Sequence, residues 1–237
     1  MMLTDDEFKL FSQLIYNESG IAIKESKKEF LQTRLLKRLQ ANQLNSYYRY
    51  YKFITDKRQG QRELLDLMDS ITINETSFFR NKPQFDLFAN IVMPELKKKK
   101  AEGQRLRFWS AGCSRGQEAY SIAMSVLSSL EFPNAWDIKI LASDISLRVL
   151  ESAQRGTYSR YEIEGVETEY LKNYFDKSDE HYSVKPHVKK IVIFDYHNLK
   201  HENGQTGLDA IFCRNVMIYF DGEEQKRLID KFYQSLS

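Results

Sequence analysis

Residues 106–121 read LRFWSAGCSRGQEAYS, and this stretch decides the fold. Its apolar beginning, residues 106–110, has the length of a buried β-strand, and the small residues that follow predict a turn. The apolar spacing over residues 117–130 predicts a helix. A strand that enters a helix through such a turn is typical of the β-α-β unit, from which parallel sheets are built.

The same alternation continues along the chain. Three further strands are predicted over residues 138–142, 190–194 and 209–213, and a helix is expected between the first two of them. Residues 158–188 are too long for a simple connection and predict a small β insertion. We therefore expect an α/β domain of Rossmann-like type with a mostly parallel sheet.

The first 70 residues predict helices instead. Thr4 and Glu7 have the spacing of a capping box, which marks the start of a helix. Further helices are predicted over residues 27–40, 47–55 and 61–70. The expected organisation is a small all-helical domain over residues 1–72 and a larger α/β domain over residues 73–237.

Composition excludes several classes of protein. The 237 residues are 42% hydrophobic, with 10 Gly and 4 Pro, which excludes disordered and collagen-like chains. No apolar run approaches the roughly 18–20 residues of a membrane span, and the acidic start is unlike a signal peptide. Cys113 and Cys213 are too few for a disulfide framework. We expect a soluble, cytoplasmic protein that does not insert into membranes.

Charge is distributed unevenly. The formal net charge is +2, yet residues 20–62 contain 11 Lys or Arg and 3 Asp or Glu, a local net charge of +8. Basic residues of the second helix lie opposite its leucines: Lys27, Arg34, Lys37 and Arg38. Such a basic stripe suits an acidic partner, and a merely solvated helix face is the alternative.

Two candidate binding features follow strand ends, where ligands bind in open α/β sheets. Gly112 and Gly116 form the turn after the first strand, where missing side chains let the backbone approach a ligand. Asp144 ends the second strand, at a position where an acid often accepts hydrogen bonds from ribose hydroxyls. A helix N-cap is the alternative role. Together they predict a nucleoside-containing ligand, either a nicotinamide cofactor or S-adenosylmethionine.

Other side chains narrow the chemistry. Arg80 lies beside two phenylalanines, and an arginine next to buried aromatics suits an anionic group such as a carboxylate. No metal is expected, because His197 and His201 lack a Cys or an acid to complete a ligand set. Cys113 has no neighbouring His, which favours a small buried thiol over a nucleophile.

Five sequence blocks occur in a fixed order. They are NETSFFR (residues 74–80), WSAGCSRGQEAYS (109–121), ASDIS (142–146), HNL (197–199) and FCRNVMIYFD (212–221). In this order they resemble the CheR family of chemotaxis receptor methyltransferases, whose small first domain the helical start also resembles. The resemblance implies a Rossmann-like S-adenosylmethionine-dependent methyltransferase that methylates side-chain carboxylates of receptor glutamates for sensory adaptation and releases S-adenosylhomocysteine.

The resemblance also implies roles by position. Cofactor binding is assigned to Asn74, Thr76, Arg80, Gly112, Glu118, Asp144, Asn198, Leu199, Arg214 and Asn215. Glu118 would meet the methionine end of the cofactor and Asp144 its ribose. Arg80 and Tyr219 are the candidate catalytic residues, which position the reacting groups rather than transfer a proton. The basic stripe would face the acidic methylation helices of the chemoreceptors.

Departures from the family pattern qualify this assignment. Gln117 and Ala119 stand where many relatives have Glu and Pro, while Glu118 is kept. Residues 175–182 contain no glycine, which argues against tethering to a receptor tail peptide. The chain ends at Ser237, where relatives continue with a Pro-Gly-Gly turn and a last strand, so a shortened chain is expected. A monomer is also expected.

Other classes of protein remain for comparison. A nucleic-acid methyltransferase would share the fold, but residues 214–217 read RNVM, where amino-methylating DNA enzymes usually carry Asn/Asp-Pro-Pro-Tyr/Phe, so no nucleic acid is expected as a partner. A dehydrogenase would need the full glycine pattern for a dinucleotide. A non-catalytic S-adenosylmethionine-binding regulator of a chemotaxis-like pathway stays open as the alternative.

Overall fold

The computed structural model describes residues 1–202 and 204–237, which divide into two compact units. The first unit comprises Met1–Ile73, Asn198–His201 and Asn215–Asp230. The second unit comprises Asn74–His197, Glu202–Arg214 and Lys231–Ser237. Two later segments of the chain thus join the helical residues of the first unit.

The first unit is built mainly from helices α1 (Asp5–Ser19), α2 (Lys28–Ala41), α3 (Tyr47–Ile54) and α4 (Gln61–Ile71). Its first helix starts as predicted: the Glu7 amide donates to Thr4 Oγ1 at 3.3 Å, and the Thr4 amide donates to the Glu7 carboxylate at 3.0 Å. Buried side chains such as Phe11, Leu35 and Tyr50 form its core.

A parallel sheet forms the centre of the second unit. Its strands are β1 (Arg105–Ala111), β2 (Asp137–Asp144), β6 (Val192–Tyr196) and β7 (Ala210–Phe212). Within the described residues the strand order is β6-β2-β1-β7, and every neighbouring pair is parallel. Helices α7 (Gln117–Ser129) and α8 (Leu147–Arg155) follow β1 and β2, as the alternation of strands and helices predicts.

The insertion is a small antiparallel sheet. Its strands are β3 (Thr157–Ser159), β4 (Phe175–Ser178) and β5 (His181–Val184), in the order β3-β5-β4. Its helices are α9 (Thr168–Tyr174) and α10 (Pro186–Lys189). The expected fold class is therefore confirmed: an α/β Rossmann-like sheet, a helical N-terminal part and a small β insertion.

The remaining helices complete the two units. They are α5 (Lys82–Leu87), a π-helical segment (Phe88–Val92), α6 (Met93–Lys99) and α11 (Gly222–Ser235). In the part of the chain that is described, no helix combines the length and the apolar character needed to span a membrane.

Candidate functional site

The carboxyl ends of the parallel strands bring several of the predicted residues to one edge of the second unit. Ala111 at the end of β1 pairs with Ser143, and Asp144 at the end of β2 pairs with Tyr196 of β6. Arg214 follows β7 by two residues. Ligands bind at this edge in open α/β sheets, and the cofactor roles of the residues that lie there stay predictions.

The turn after β1, residues 112–116, is called here the glycine turn. Its backbone is left-handed at Gly112 (φ 85°), Ser114 (φ 49°) and Gly116 (φ 88°). A Cβ on Gly116 would lie 2.9 Å from Cβ of Ala153 in α8, closer than side chains pack. At Ser114 the left-handed backbone costs roughly 1 kcal/mol or more, so hydrogen bonds must hold the turn in place.

Asp144 supplies one of these hydrogen bonds. Its Oδ2 accepts the Ser114 amide at 2.8 Å, and its Oδ1 accepts the Ser146 amide at 3.0 Å. Ser146 in turn caps α8, because its hydroxyl accepts the Val149 amide at 3.4 Å. The buried Asp144 carboxylate therefore joins the glycine turn to the start of α8. An oxygen that accepts a backbone amide has a second lone pair for a ligand hydroxyl.

Glu118 lies in the first turn of α7 and is buried. Its carboxylate accepts a hydrogen bond from the Ser110 hydroxyl at 2.8 Å and pairs with the Arg214 guanidinium at 3.4 Å. Burial raises the pKa of Glu118 above its usual 4.5, against the opposing effects of Ser110, Arg214 and Arg80. The site thus holds a buried acid whose negative charge is only partly compensated.

Arg214 and Arg80 are in direct contact with each other. The Arg214 guanidinium donates to the carbonyl of Arg80 and lies over the Phe85 ring, 5.4 Å from its centroid. The Arg80 guanidinium donates to the Glu75 carbonyl at 2.9 Å. Two positive groups therefore accompany the negative Glu118 carboxylate. The carboxylate is suited to bind a cation, and the guanidinium groups are suited to bind an anion.

The segment from Asn74 to Arg80 is hydrogen bonded to the glycine turn and to α7. Ser114 Oγ donates to the Asn74 carbonyl at 3.1 Å, and the Phe79 amide donates to the Ser121 hydroxyl at 2.9 Å. Thr76 is half-buried in the same segment. The structure therefore places Asn74, the glycine turn and Asp144 in one hydrogen-bonded group.

The other predicted residues belong to the first unit. The Asn198 amide side chain donates to the Glu18 carbonyl at 2.5 Å, and Leu199 beside it is buried. Asn215 is exposed and has a left-handed backbone (φ 58°). The Tyr219 carbonyl accepts the Ala22 amide at 2.9 Å. Their assignment to the cofactor and to the reacting groups stays a prediction.

The basic stripe needs one correction. Lys27 and Lys37 are exposed as expected, and Arg34 is half-buried with its guanidinium 5.0 Å from the centroid of the Phe30 ring. Arg38 differs because its guanidinium donates to both oxygens of the buried Glu63, at 2.8 and 2.5 Å. Its charge is therefore neutralised inside the first unit and is not part of an exposed stripe.

The Glu63 carboxylate is the centre of this internal network. It also accepts the Tyr50 hydroxyl at 2.7 Å, while Arg38 reaches Asp66 at 3.0 Å. Burial acts to raise the pKa of Glu63, but the donors Arg38 and Tyr50 outweigh it and leave the pKa below 4.5. The network links α2, α3 and α4, so Arg38 has a structural role.

Some residues at this edge were given no role by the sequence analysis. Ser110 is fully buried at the end of an apolar strand, and its hydroxyl is the donor to Glu118. Gln117 is fully buried, and neither atom of its amide has a partner among the described residues. A polar residue inside an apolar strand was the available signal for Ser110, whereas the burial of Gln117 has no signature in the sequence.

A metal centre is not indicated by the side chains that the structure describes. In residues 1–202 and 204–237, no three His, Cys, Asp or Glu side chains are grouped so that they could hold an ion. Burial, followed by the nearby Asp144 and Glu118, raises the pKa of the Cys113 thiol well above its usual value. A protonated thiol is a poor nucleophile. The other groups at this site are acids, amides and guanidinium groups, which are suited to binding.

Comparisons with known proteins agree across the whole chain. The family described as "CheR methyltransferase, all-alpha domain" matches residues 6–72, and "CheR methyltransferase, SAM binding domain" matches residues 74–237. The chemotaxis protein methyltransferase of Borreliella burgdorferi is 38% identical over 237 residues, covering 97% of this chain and 83% of that protein. The chemotaxis protein methyltransferase of Escherichia coli is 34% identical over 239 residues, covering 98% and 80%.

Proposed function

The chain belongs to the CheR methyltransferase family, and on that premise we propose that it transfers a methyl group from S-adenosylmethionine to glutamate side chains of chemotaxis receptors. The product would be a glutamate methyl ester, and the substrate region would be the cytoplasmic methylation helices of the receptors. One observation carries the proposal: two buried carboxylates lie at the carboxyl edge of the sheet beside the left-handed glycine turn. Asp144 accepts a hydrogen bond from Ser114 of this turn, and Glu118 accepts one from Ser110 at the end of β1.

The groups at this edge suit the parts of the cofactor. S-adenosylmethionine supplies a methyl group on a positively charged sulfur and carries a ribose, an ammonium and a carboxylate. The Asp144 carboxylate suits the ribose hydroxyls, and the buried Glu118 carboxylate suits the ammonium. The Arg80 guanidinium suits a carboxylate. The unpartnered amide of Gln117 is a further polar group that a bound molecule or water would satisfy.

The remaining assignments rest on the sequence blocks. We propose that Asn74, Thr76, Gly112 and Arg214 also line the cofactor site, together with Asn198, Leu199 and Asn215. We also propose residues 1–72 as the receptor-facing helical domain and residues 73–237 as the catalytic domain. Since Arg38 is paired internally, the proposed receptor surface is reduced to Lys27, Arg34 and Lys37.

The chemistry requires positioning more than proton transfer. A glutamate carboxylate has a pKa of about 4.3 and is already ionised at neutral pH, so no general base is needed. The contribution of the protein is to orient the carboxylate against the methyl group and to exclude water. We propose Arg80 and Tyr219 for this orienting role.

The first experiment is a calorimetric titration of S-adenosylhomocysteine into the chain and two variants. Asp144→Ala removes the carboxylate at the carboxyl end of β2, whereas Asp137→Ala removes an exposed carboxylate at the other end of the same strand. We expect one-to-one binding by the wild type and by Asp137→Ala, and binding at least about tenfold weaker by Asp144→Ala. Equal binding by both variants, each shown to be folded, would contradict the proposed site.

A second experiment tests the reaction itself. The chain is incubated with methyl-labelled S-adenosylmethionine and membranes that contain chemotaxis receptors. We expect label on the receptor that is released as methanol in alkali, because carboxyl methyl esters hydrolyse there and N-methyl groups do not. Cofactor binding without any transfer of label would instead support the non-catalytic regulator.

A further inference from the structure

The β insertion reaches the glycine turn at Arg115. Tyr158 of β3 donates from its hydroxyl to the Arg115 carbonyl at 2.7 Å. The Tyr158 side chain is 1% exposed, and burial raises its pKa well above 10, so the hydroxyl stays protonated as a donor at neutral pH. A residue outside the five family blocks therefore holds a backbone group inside one of them.

A second contact to Arg115 comes from the same part of the insertion. The Glu162 carboxylate pairs with the Arg115 guanidinium at 3.1 Å through Oε1. Its other oxygen, Oε2, accepts both the amide and the hydroxyl of Ser159, each at 3.0 Å. The carboxylate is thus fixed by its own strand end before it meets Arg115, which lowers the entropic cost of the ion pair.

The rings of the insertion also pack on the segment beside the turn. The Tyr158 ring meets the Phe78 ring edge-on with centroids 4.9 Å apart, and the Phe175 ring of β4 meets it at 5.4 Å. Phe78 lies in the segment whose Asn74 carbonyl accepts the Ser114 hydroxyl. The insertion is therefore attached to the glycine turn directly and to its neighbouring segment.

The turn needs an anchor at Arg115. The amides of Gly112 and Cys113 donate to the Ser143 carbonyl, and the Ser114 amide donates to Asp144, so the sheet holds the first part of the turn. Arg115 lies between the left-handed residues Ser114 and Gly116, where the strained backbone must be held by its surroundings. The insertion supplies that hold through the Arg115 carbonyl.

From these contacts we infer that Tyr158 and Glu162 are positioning residues for cofactor binding: they fix the glycine turn in its binding conformation without being ligands themselves. The inference rests on the proposed function, because it concerns the same nucleoside site. It gives the β insertion a role in every turnover that is separate from any role in receptor contact.

The test compares two tyrosine-to-phenylalanine variants, each of which lacks one side-chain hydroxyl. Tyr158→Phe removes the hydroxyl on the Arg115 carbonyl, and Tyr120→Phe removes a buried hydroxyl that donates to the Ala153 carbonyl at 2.9 Å. Each variant loses one hydrogen bond to a backbone carbonyl, so we expect similar losses of stability in urea. The dissociation constant for S-adenosylhomocysteine should rise about fivefold in Tyr158→Phe and stay within about twofold of wild type in Tyr120→Phe.

A second pair of variants tests the ion pair. Glu162→Gln removes the negative charge that pairs with Arg115, and Glu164→Gln changes an exposed glutamate of the same insertion. We expect a rise in the dissociation constant of about twofold to threefold for Glu162→Gln alone, as for a partly exposed ion pair. In the ligand-free chain, amide hydrogen exchange at Ser114 and Gly116 should accelerate in Tyr158→Phe but not in Tyr120→Phe.

The failures of the two proposals differ. If Tyr158→Phe binds as tightly as wild type, or if both phenylalanine variants weaken binding equally, the positioning role is wrong. Unchanged exchange at Ser114 and Gly116 in Tyr158→Phe would overturn it as well, with or without ligand binding. A folded wild-type chain that does not bind S-adenosylhomocysteine contradicts the proposed function instead.

Discussion

Glu118 combines a position suited to binding with an unfavourable charge. It is buried in the first turn of α7, and burial raises its pKa although Ser110 and Arg214 oppose the effect. A raised pKa means that the folded protein prefers the protonated form of this side chain. The negative charge that would bind an ammonium therefore destabilises the ligand-free protein at neutral pH.

Replacing Glu118 with glutamine should weaken ligand binding without lowering the stability of the protein at pH 7. Because its folded pKa lies above 4.5, the favourable contribution of Glu118 is complete below pH 4.5 and is lost as the pH rises through the raised value. We expect Glu118→Gln to be at least as stable as wild type at pH 7, while S-adenosylhomocysteine binds at least about tenfold more weakly.

Urea unfolding of both proteins between pH 4 and pH 7 measures this effect. The stability difference in favour of Glu118→Gln should grow with pH over that range, while Glu102→Gln, a change at an exposed glutamate, should follow the wild-type curve. If Glu118→Gln instead lost stability relative to wild type as the pH rises, this account of Glu118 would be contradicted.

Among the elements, the glycine turn combines strain with close packing. Gly116 and Gly165 have similar left-handed backbones, with φ of 88° and 84°. A Cβ on Gly116 would meet Ala153 at 2.9 Å and Phe194 at 3.2 Å, whereas a Cβ on Gly165 would meet nothing within 4 Å. The two glycines therefore distinguish the cost of backbone strain from the cost of overlap.

Alanine at each glycine measures the two costs. Gly165→Ala should lose roughly 1–2 kcal/mol of unfolding free energy from the left-handed backbone alone. Gly116→Ala should lose roughly 1–3 kcal/mol more, because α7 and α8 must separate, and should also weaken S-adenosylhomocysteine binding. Equal losses of stability in the two variants would show that α8 yields to a methyl group without cost.

Local patterns predicted the elements well, and long-range pairing explains what they missed. The capping box at Thr4 and the spacing of apolar residues depend on neighbours within one or two helical turns, which the sequence displays directly. Lys100 ends a run of four lysines, and nothing in the neighbouring sequence indicates that it pairs at 2.8 Å with Asp209, whose side chain is 1% exposed. Arg38 was misplaced for the same reason, since its partner Glu63 lies in another helix.

Only those parts of the candidate site that directly follow predicted strands could be predicted from the sequence. The sequence located the glycine turn and Asp144, because both follow apolar runs directly. It did not identify Ser110 or Tyr158 as partners, since their roles depend on which backbone and side-chain atoms the fold brings within hydrogen-bond distance. The family blocks named the motif residues but gave no reason to include the insertion.

For the whole molecule, the main feature is the separation of charge along the chain. Residues 20–62 carry a local net charge of +8 while the chain carries +2, so the remaining residues are net negative. Complementary charge mainly accelerates encounter, and its effect is screened by salt. A receptor with acidic methylation helices should therefore be methylated faster at low ionic strength.

Charge reversal tests this on the exposed lysines of the first unit. Lys27→Glu with Lys37→Glu should lower kcat/KM for the receptor by about threefold to tenfold at low salt, with kcat little changed. The matched control reverses Lys98 and Lys99, which are exposed on α6 of the second unit. The difference should shrink in 0.5 M salt, roughly where screening acts over a few ångströms, and a salt-independent loss would argue against steering.

The end of α1 has a consequence for biosynthesis. Its last carbonyls are satisfied by side chains from far along the chain: Asn198 donates to Glu18 across 180 residues, and Lys200 donates to Asn17 at 2.6 Å. On the ribosome, the N-terminal helices emerge long before these donors are synthesised. The end of α1 therefore lacks these hydrogen bonds until residues 198–200 have been translated. The maturation of the first unit thus depends on the synthesis of the later part of the chain.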